Sequence, residues 1–251
     1  MRESKKILLL GTGGHCRSVA DSLIASGIYD EIALVGKPRE EKKIEETTKK
    51  IGIAELTKID KIECTDTAEK ADNAENAATV EFMSLVEIGT EDMLSSFFEE
   101  GYHYAFVALG SIGDPSVRHT IYQKVKNLGF ILPNIIDPSS VISKFAELGE
   151  GIFVGKNVVI NAAAKIGNCA IINTGSIIEH DCEIGEYVHV SPGCTICGSV
   201  KVEADTHVGA GSVIKQGIHI GEDTMIGMGS IVLSDIGDHA TAYGNPCRII
   251  K

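Results

Sequence analysis

From Ile136 onward the chain places a branched aliphatic residue at every sixth position. The column runs Ile136, Ile142, Leu148, Val154, Ile160, Ile166, Ile172, Ile178, Ile184, Val190, Ile196, Val202, Val208, Ile214, Ile220, Ile226 and Val232, seventeen positions in register. If about half of all positions are apolar, such a run has odds on the order of one in a hundred thousand. Four places further on the residues are mostly small or short, as at Ala164, Ala170, Ser176, Cys182, Cys194, Thr206, Ser212, Thr224 and Ser230. Glycine recurs just after the aliphatic position, at Gly155, Gly167, Gly185, Gly209, Gly221 and Gly227. A fixed six-residue period predicts a parallel β-helix, each hexad a short strand plus a corner. The aliphatic column fills its interior and the small column sits where the wall turns inward. Three hexads close one triangular coil, so residues 18 apart stack.

The first half of the chain has another rhythm. Ile7 to Leu10 is a continuous apolar run, the mark of a buried strand, and the glycine-rich turn GTGGH follows it. A helix is predicted from Cys16 to Ser26, with Val19, Leu23 and Ile24 on one face and Gly27 as its stop. Ile32 to Val35 reads as a second strand, and YAFVALG as another that ends in Gly110. Asp114 as N-cap and Pro115 at the first position then start a helix that runs to about Asn127. Strands alternating with helices predict a small Rossmann-like parallel sheet over residues 1–135, with the β-helix and a C-terminal tail over 136–251. Between about 37 and 78 lies a charged stretch with few large apolar residues, expected to be an insertion without chemistry.

Composition narrows the function classes. With 23 basic and 35 acidic residues the net charge is −12, which argues against nucleic-acid or membrane-surface partners. The seven cysteines are scattered and odd in number, and the apolar run after MRESKK is too short for a secretory signal core. No apolar stretch approaches the ~20 residues of a membrane span. Reduced thiols and a cytoplasmic location are the expectation. Cys194 and Cys197 have zinc-ligand spacing, but no second such pair accompanies them, so no metal is expected.

GTGGH raises the possibility of a dinucleotide site. The G-x-G-x-x-G pattern fails at Cys16, and Val35-Gly36 stands where a ribose-binding acid would end the second strand. The turn and the helix N-terminus still favour some phosphate, with an unliganded tight turn as the bland reading.

Three stretches, KKILLLGTGGH, NTGSIIEHDCEIGEYVHVSPG and the closing YGNPCRII, together resemble one family across most of the chain. These are the hexapeptide-repeat bacterial sugar acetyltransferases, which include N-acetyltransferases of nucleotide-linked 4-amino sugars and sialic acid O-acetyltransferase-like proteins. The resemblance implies a left-handed β-helix, a homotrimer, and acetyl-CoA bound in the groove between neighbouring prisms. By position it implies His180 as general base and Asp181 as the acid that makes it more basic, with Glu179 as an alternative orienting acid. His189 would meet the acetyl-thioester end of the cofactor, and Ala210 and Met228, 18 apart on one corner, would lend backbone to its pantetheine arm. Gly13, Gly14, His15 and Gly110 would form the nucleotide-sugar site.

These residue types suit acyl transfer. A thioester is already activated, so one positioned base that deprotonates the acceptor contributes ~10²–10⁴-fold, and an imidazole titrates near working pH. His180 stands two places after the interior Ile178, at a corner where side chains point outward; a solvated corner residue is the bland alternative. His207 and His219 share the column of His189 and are expected to be a solvated wall. Lys201, Lys215, Arg248 and Lys251 are read as scattered surface charge rather than a coenzyme A phosphate site.

The leading expectation is acetyl transfer to the amino group of a UDP-4-amino-4,6-dideoxy sugar for surface glycans. The first alternative is O-acetylation of sialic acid or another nonulosonic acid, and the second a non-catalytic trimeric scaffold. A zinc lyase on the same fold fits poorly, because the histidine spacings of 9, 18 and 12 do not match its ligand pattern.

Overall fold

The computed structural model describes residues 4–37, 85 and 87–251, so the charged stretch beyond Lys37 lies outside the described residues. The first unit has strands β1 (Lys6–Leu10), β2 (Glu31–Gly36), β3 (Glu87–Thr90) and β4 (Tyr104–Val107). Its helices are α1 (Gly14–Ser26), α2 (Leu94–Glu99) and α3 (Ser116–Asn127). The strands run parallel in the order β3-β2-β1-β4. A central parallel strand is covered on both sides, which is why β1 is apolar without alternation. Ile7 and Leu9 pack with Val19 and Leu23 of α1, while Leu8 and Leu10 pack with Leu94 and Phe97 of α2 and Ile121 and Val125 of α3.

Two helix starts differ from the sequence expectation. α1 begins at Gly14, two residues early, with Gly13 at its N-cap. α3 begins at Ser116 with Pro115 at its N-cap, so Asp114, the predicted cap, lies one position outside the observed one, where its carboxylate accepts the Ser116 N–H at 2.8 Å.

The second unit is a left-handed parallel β-helix. Its seventeen strands, β5 (Ile135–Ile136) to β21 (Ile231–Val232), are each two residues long. They stack in strict steps of 18, as in Ile172↔Val190↔Val208↔Ile226. A terminal hairpin, β22 (Thr241–Gly244) and β23 (Cys247–Ile249), closes the last coil. The aliphatic column is buried from Val154 to Val232. It is not buried at its start: Ile136 is 37 % exposed, because β5, β6 and β7 are the end strands of their sheets and no coil stacks beneath them.

From Gly151 to Gly229 each corner turns through a left-handed residue three places after the interior one. Asn157, Ala163, Cys169, Asp181, Tyr187, Ser199, Asp205 and Asp223 hold this position with φ between 48° and 61°. Non-glycine residues pay for that conformation, and the ladder bonds on either side hold them there. The glycines after the interior residues answer a different demand. A Cβ at Gly185 would lie 2.6 Å from the Ala204 nitrogen, so the next coil leaves no room for a side chain.

The residue before each interior position points outward, and sorting this column by coil face separates three surfaces. Face one (β5, β8, β11, β14, β17, β20) presents Ile135, Phe153, Ile171, His189 and His207, all buried, and the half-buried Met225. The first unit covers it: Ile135, Phe153 and Ile171 share one core with α1 and β1. Face three (β7, β10, β13, β16, β19) presents Glu147, Lys165, Glu183, Lys201 and His219, an alternating charged ladder open to water. Face two (β6, β9, β12, β15, β18, β21) presents Val141, Val159, Ile177, Thr195, Val213 and Ile231, an almost wholly apolar stripe that no other part of the described chain covers completely.

Candidate active site

His180 follows β12 (Ile177–Ile178) and stands on the edge between faces two and three, with its side chain well exposed. Its Nδ1–H donates to Asp181 Oδ2 at 2.8 Å, which leaves the Nε2 lone pair unengaged. Asp181 is one of the left-handed corner residues, with φ 59°, a conformation that aspartate tolerates better than most. The corner itself thus turns the carboxylate onto the ring, and Asp181 rather than Glu179 is the acid paired with the imidazole. One coil later lies Gly198, where a Cβ would sit 2.7 Å from His180 Nε2. The imidazole therefore lies over Gly198, a support that the sequence reading missed; adding 18 to the position of the histidine would have found it.

Ala210 follows β17 (His207–Val208) and Met228 follows β20 (Met225–Ile226). Both are exposed and stack on the edge between faces one and two, and Met228 is 81 % accessible. Within one chain this edge and that of His180 lie on opposite sides of face two.

Three other histidines, His15, His189 and His207, gather at the seam between the two units. His189 is buried: its Nδ1–H donates to the Ser111 carbonyl at 2.8 Å, and its Nε2 faces Asn173 Nδ2 at 3.5 Å. Burial is the main reason its pKa is pushed down to about 4. His207 stacks edge-on against it with centroids 4.8 Å apart and meets Ser191 Oγ through Nε2 at 3.2 Å. The expectation that His207 is a solvated wall residue is therefore wrong, because the first unit covers its face. His219, on face three, is exposed and paired with Glu203 at 3.0 Å.

His15 reaches the same seam from the start of α1, edge-on to Phe153 at 5.1 Å, and its Nε2 has no hydrogen-bond partner among the described residues. Desolvation, then the His189 and Arg118 charges, push its pKa down to about 3. Arg118, 3 % exposed, pins the seam by donating to the Tyr187 and Cys169 carbonyls and to Ser111 Oγ. Nothing in the sequence pattern marked Arg118 or Ser111, since both act through the contact between units.

Of the remaining expected site residues, Gly110 packs on His15, while Gly13 and Gly14 are exposed at the start of α1. Gly13 also borders a cavity of about 180 Å³ at the carboxyl ends of β1 and β2, with Gly11, Thr12, Gly36, Lys37 and Glu91 around it. Cys194 and Cys197 sit in different columns, one in the small inward column and one just after the interior Ile196. Among the described residues no group of His, Cys, Asp and Glu is arranged to hold a metal ion, and no helix is long and apolar enough to cross a membrane.

Comparison with known proteins places this geometry. The profile of the bacterial transferase hexapeptide (six repeats) matches residues 163–198, and that of the PglD N-terminal domain matches residues 6–67. The crystal structure of PerB from Caulobacter crescentus, in complex with CoA and GDP-perosamine, is 30% identical, with a TM-score of 0.75 over 98% of this chain and 97% of that one. The chain belongs to the hexapeptide-repeat sugar acetyltransferases. A histidine-to-asparagine mutant of the Caulobacter crescentus perosamine N-acetyltransferase, also with CoA and GDP-perosamine, is 29% identical at TM-score 0.76 and covers the same shares, 98% and 97%. The acetyltransferase domain of PglB from Neisseria gonorrhoeae FA1090 is 25% identical at TM-score 0.77, over 98% of this chain and 100% of that one. For a sugar acetyltransferase with acetyl-CoA as co-substrate, the described chain offers a histidine–aspartate pair at one prism edge, a stacked track at another, and a glycine-rich cavity in the first unit.

Proposed function

We propose that the chain transfers acetyl from acetyl-CoA to the amino group of a nucleotide-activated amino sugar, with residues 1–135 holding the nucleotide sugar and 136–251 the donor. His180 is the general base and Asp181 orients it. The observation that carries this is the His180–Asp181 pair, exposed at a prism edge, with Nδ1 held by the carboxylate and Nε2 left without a hydrogen-bond partner among the described residues, over Gly198 of the next coil. His180 Nε2 removes a proton from the acceptor as its nitrogen attacks the thioester carbonyl. A C–N bond forms, the C–S bond breaks, and the imidazolium returns the proton to the departing thiolate. The neighbours that act on GDP-perosamine favour an amine acceptor over a hydroxyl, and a guanosine-linked sugar stands beside the uridine-linked one as substrate.

The site is composite, and the unit that completes it is a second copy of the chain. Face one is covered, face three is charged, and face two carries the uncovered apolar stripe, so face two is the surface that association buries. Three prisms packed by face two around a threefold axis bring the His180 edge of one copy against the Ala210–Met228 edge of the next. The pantetheine arm runs along that track. His189 stands on face one beside it, where it would meet the thioester end of the donor once the seam admits it. The homotrimer of this proposal is checked by light scattering. The test of the chemistry is thioester consumption with GDP- and UDP-linked 4-amino sugars and with sialic acid. Turnover on an amine that falls ~10²-fold or more in His180→Ala supports the assignment. Turnover on sialic acid alone moves the acceptor to a hydroxyl, and an unchanged mutant removes His180 from the mechanism.

A further inference from the structure

The cavity at the ends of β1 and β2 holds an acid that the end of β2 lacks. In doubly wound sheets a ligand binds at the carboxyl ends of the strands, and an acid at the end of the second strand takes the ribose. Here that place is Val35-Gly36, and the space over Gly36 is filled by the Glu87 side chain from β3. The chain continues from β3 into a single 3₁₀ turn, Glu91–Met93. The two acids of this turn behave differently. Asp92 is engaged locally, accepting the Thr90 hydroxyl. Glu91 makes no side-chain hydrogen bond or ion pair among the described residues, is only partly exposed, and borders the cavity opposite Gly11 and Gly13. Lys37 borders the same cavity, and the first N–H groups of α1 open beside it without a side-chain cap, an arrangement suited to phosphate.

We infer that Glu91 is the residue that binds the nucleoside of the sugar nucleotide, taking the place of the missing acid on β2. This rests on the nucleotide-sugar reading above. A carboxylate with both oxygens free matches a ligand that offers two neighbouring donors. Guanine N1–H with its N2 amino group is one such pair, and the ribose 2′,3′-diol is another. The base edge of uracil offers a single donor, so UDP can engage both oxygens only through its ribose.

The experiment is titration calorimetry of the full chain with GDP, IDP, 2′-deoxy-GDP and UDP, and with acetyl-CoA as a separate ligand to report that each variant is folded. The parent is expected to bind GDP, and Glu91→Gln to bind it about 10- to 100-fold more weakly, the worth of charge-assisted hydrogen bonds, with acetyl-CoA affinity unchanged. Asp92→Asn, on the same turn, is expected to bind GDP like the parent. A Glu91→Gln penalty that shrinks with IDP assigns the contact to the guanine amino group; one that shrinks with 2′-deoxy-GDP assigns it to the ribose. If Glu91→Gln binds every nucleotide as the parent does, Glu91 has no such role and the nucleotide-sugar reading still stands. If the parent binds acetyl-CoA and none of the nucleotides, both fall together.

Discussion

At the scale of single residues, the chemistry depends on where a corner points a side chain. His180 and Asp181 are neighbours in sequence, yet adjacent side chains do not ordinarily face each other. They do here because Asp181 takes the left-handed position, at φ 59°, and swings its carboxylate onto Nδ1. Asp181→Asn keeps a residue that tolerates this conformation and removes the charge. It is expected to lower kcat roughly tenfold or more, the change of one tenfold step costing about 1.4 kcal/mol, with little change in melting temperature. Steady-state rates beside a thermal melt check this, and a kcat equal to the parent would show that the carboxylate does not assist the base. The acid pairing with His180 was legible in the motif EHDC, but which of its two acids was not. The spacing of Glu179 and Asp181 is symmetric about the histidine, and only the backbone conformation breaks that symmetry.

At the scale of the element, the hexad makes two kinds of glycine that look alike in the sequence. Gly185 faces the backbone of the next coil, where a Cβ would come within 2.6 Å of the Ala204 nitrogen. Gly198 faces the movable tip of the His180 ring, where a Cβ would come within 2.7 Å. Gly185→Ala should therefore destabilise by about 1–3 kcal/mol, the usual cost of overpacking, and lower the melting temperature. Gly198→Ala should leave the melting temperature near that of the parent and reduce turnover by displacing the imidazole. The reverse pattern, an inactive but equally stable Gly185→Ala or a strongly destabilised Gly198→Ala, would contradict this division. The interior column was fully readable at period six. The outward column was not, because its three faces carry different chemistry and interleave at that period. Period 18 separates them into covered, apolar and charged.

At the scale of the whole molecule, the seam and the edges decide behaviour. His15 and His189 are held neutral at the seam, with folded pKa values of about 3 and about 4 against 6.5 when unfolded; His207 is lowered in the same direction. Arg118 lies beside them, and no carboxylate pairs with any of the three histidines among the contacts described. Between pH 6.5 and about 4 the unfolded chain binds the extra protons. The stability these groups contribute is thus complete above 6.5 and is lost as the pH falls, by up to about 1.4 kcal/mol per pH unit for each histidine. Melting temperatures from pH 7.5 to 4.5 should fall, and His189→Gln should flatten the slope; a flat profile in the parent would show the seam to be open to water. The edges make a separate prediction. His180→Ala and Ala210→Trp chains, each inactive alone, should regain part of the activity when unfolded together and reassembled as mixed trimers. Mixtures as inactive as the separate variants would place the whole site within one chain.

The sequence by itself determined the repeat, the parallel sheet and the identity of the candidate base, because each is written in local order: a period of six, an apolar run, a motif of four residues. Tertiary structure alone decided that His189 and His207 are buried and His219 is not, although the three share one column. It also decided that Arg118 spans the two units and that Glu91 borders the cavity at the ends of β1 and β2. The physical reason is the same in each case. Solvent exposure, and with it protonation and hydrogen-bond demand, is set by what a distant part of the chain places on top of a residue, and no local pattern records that.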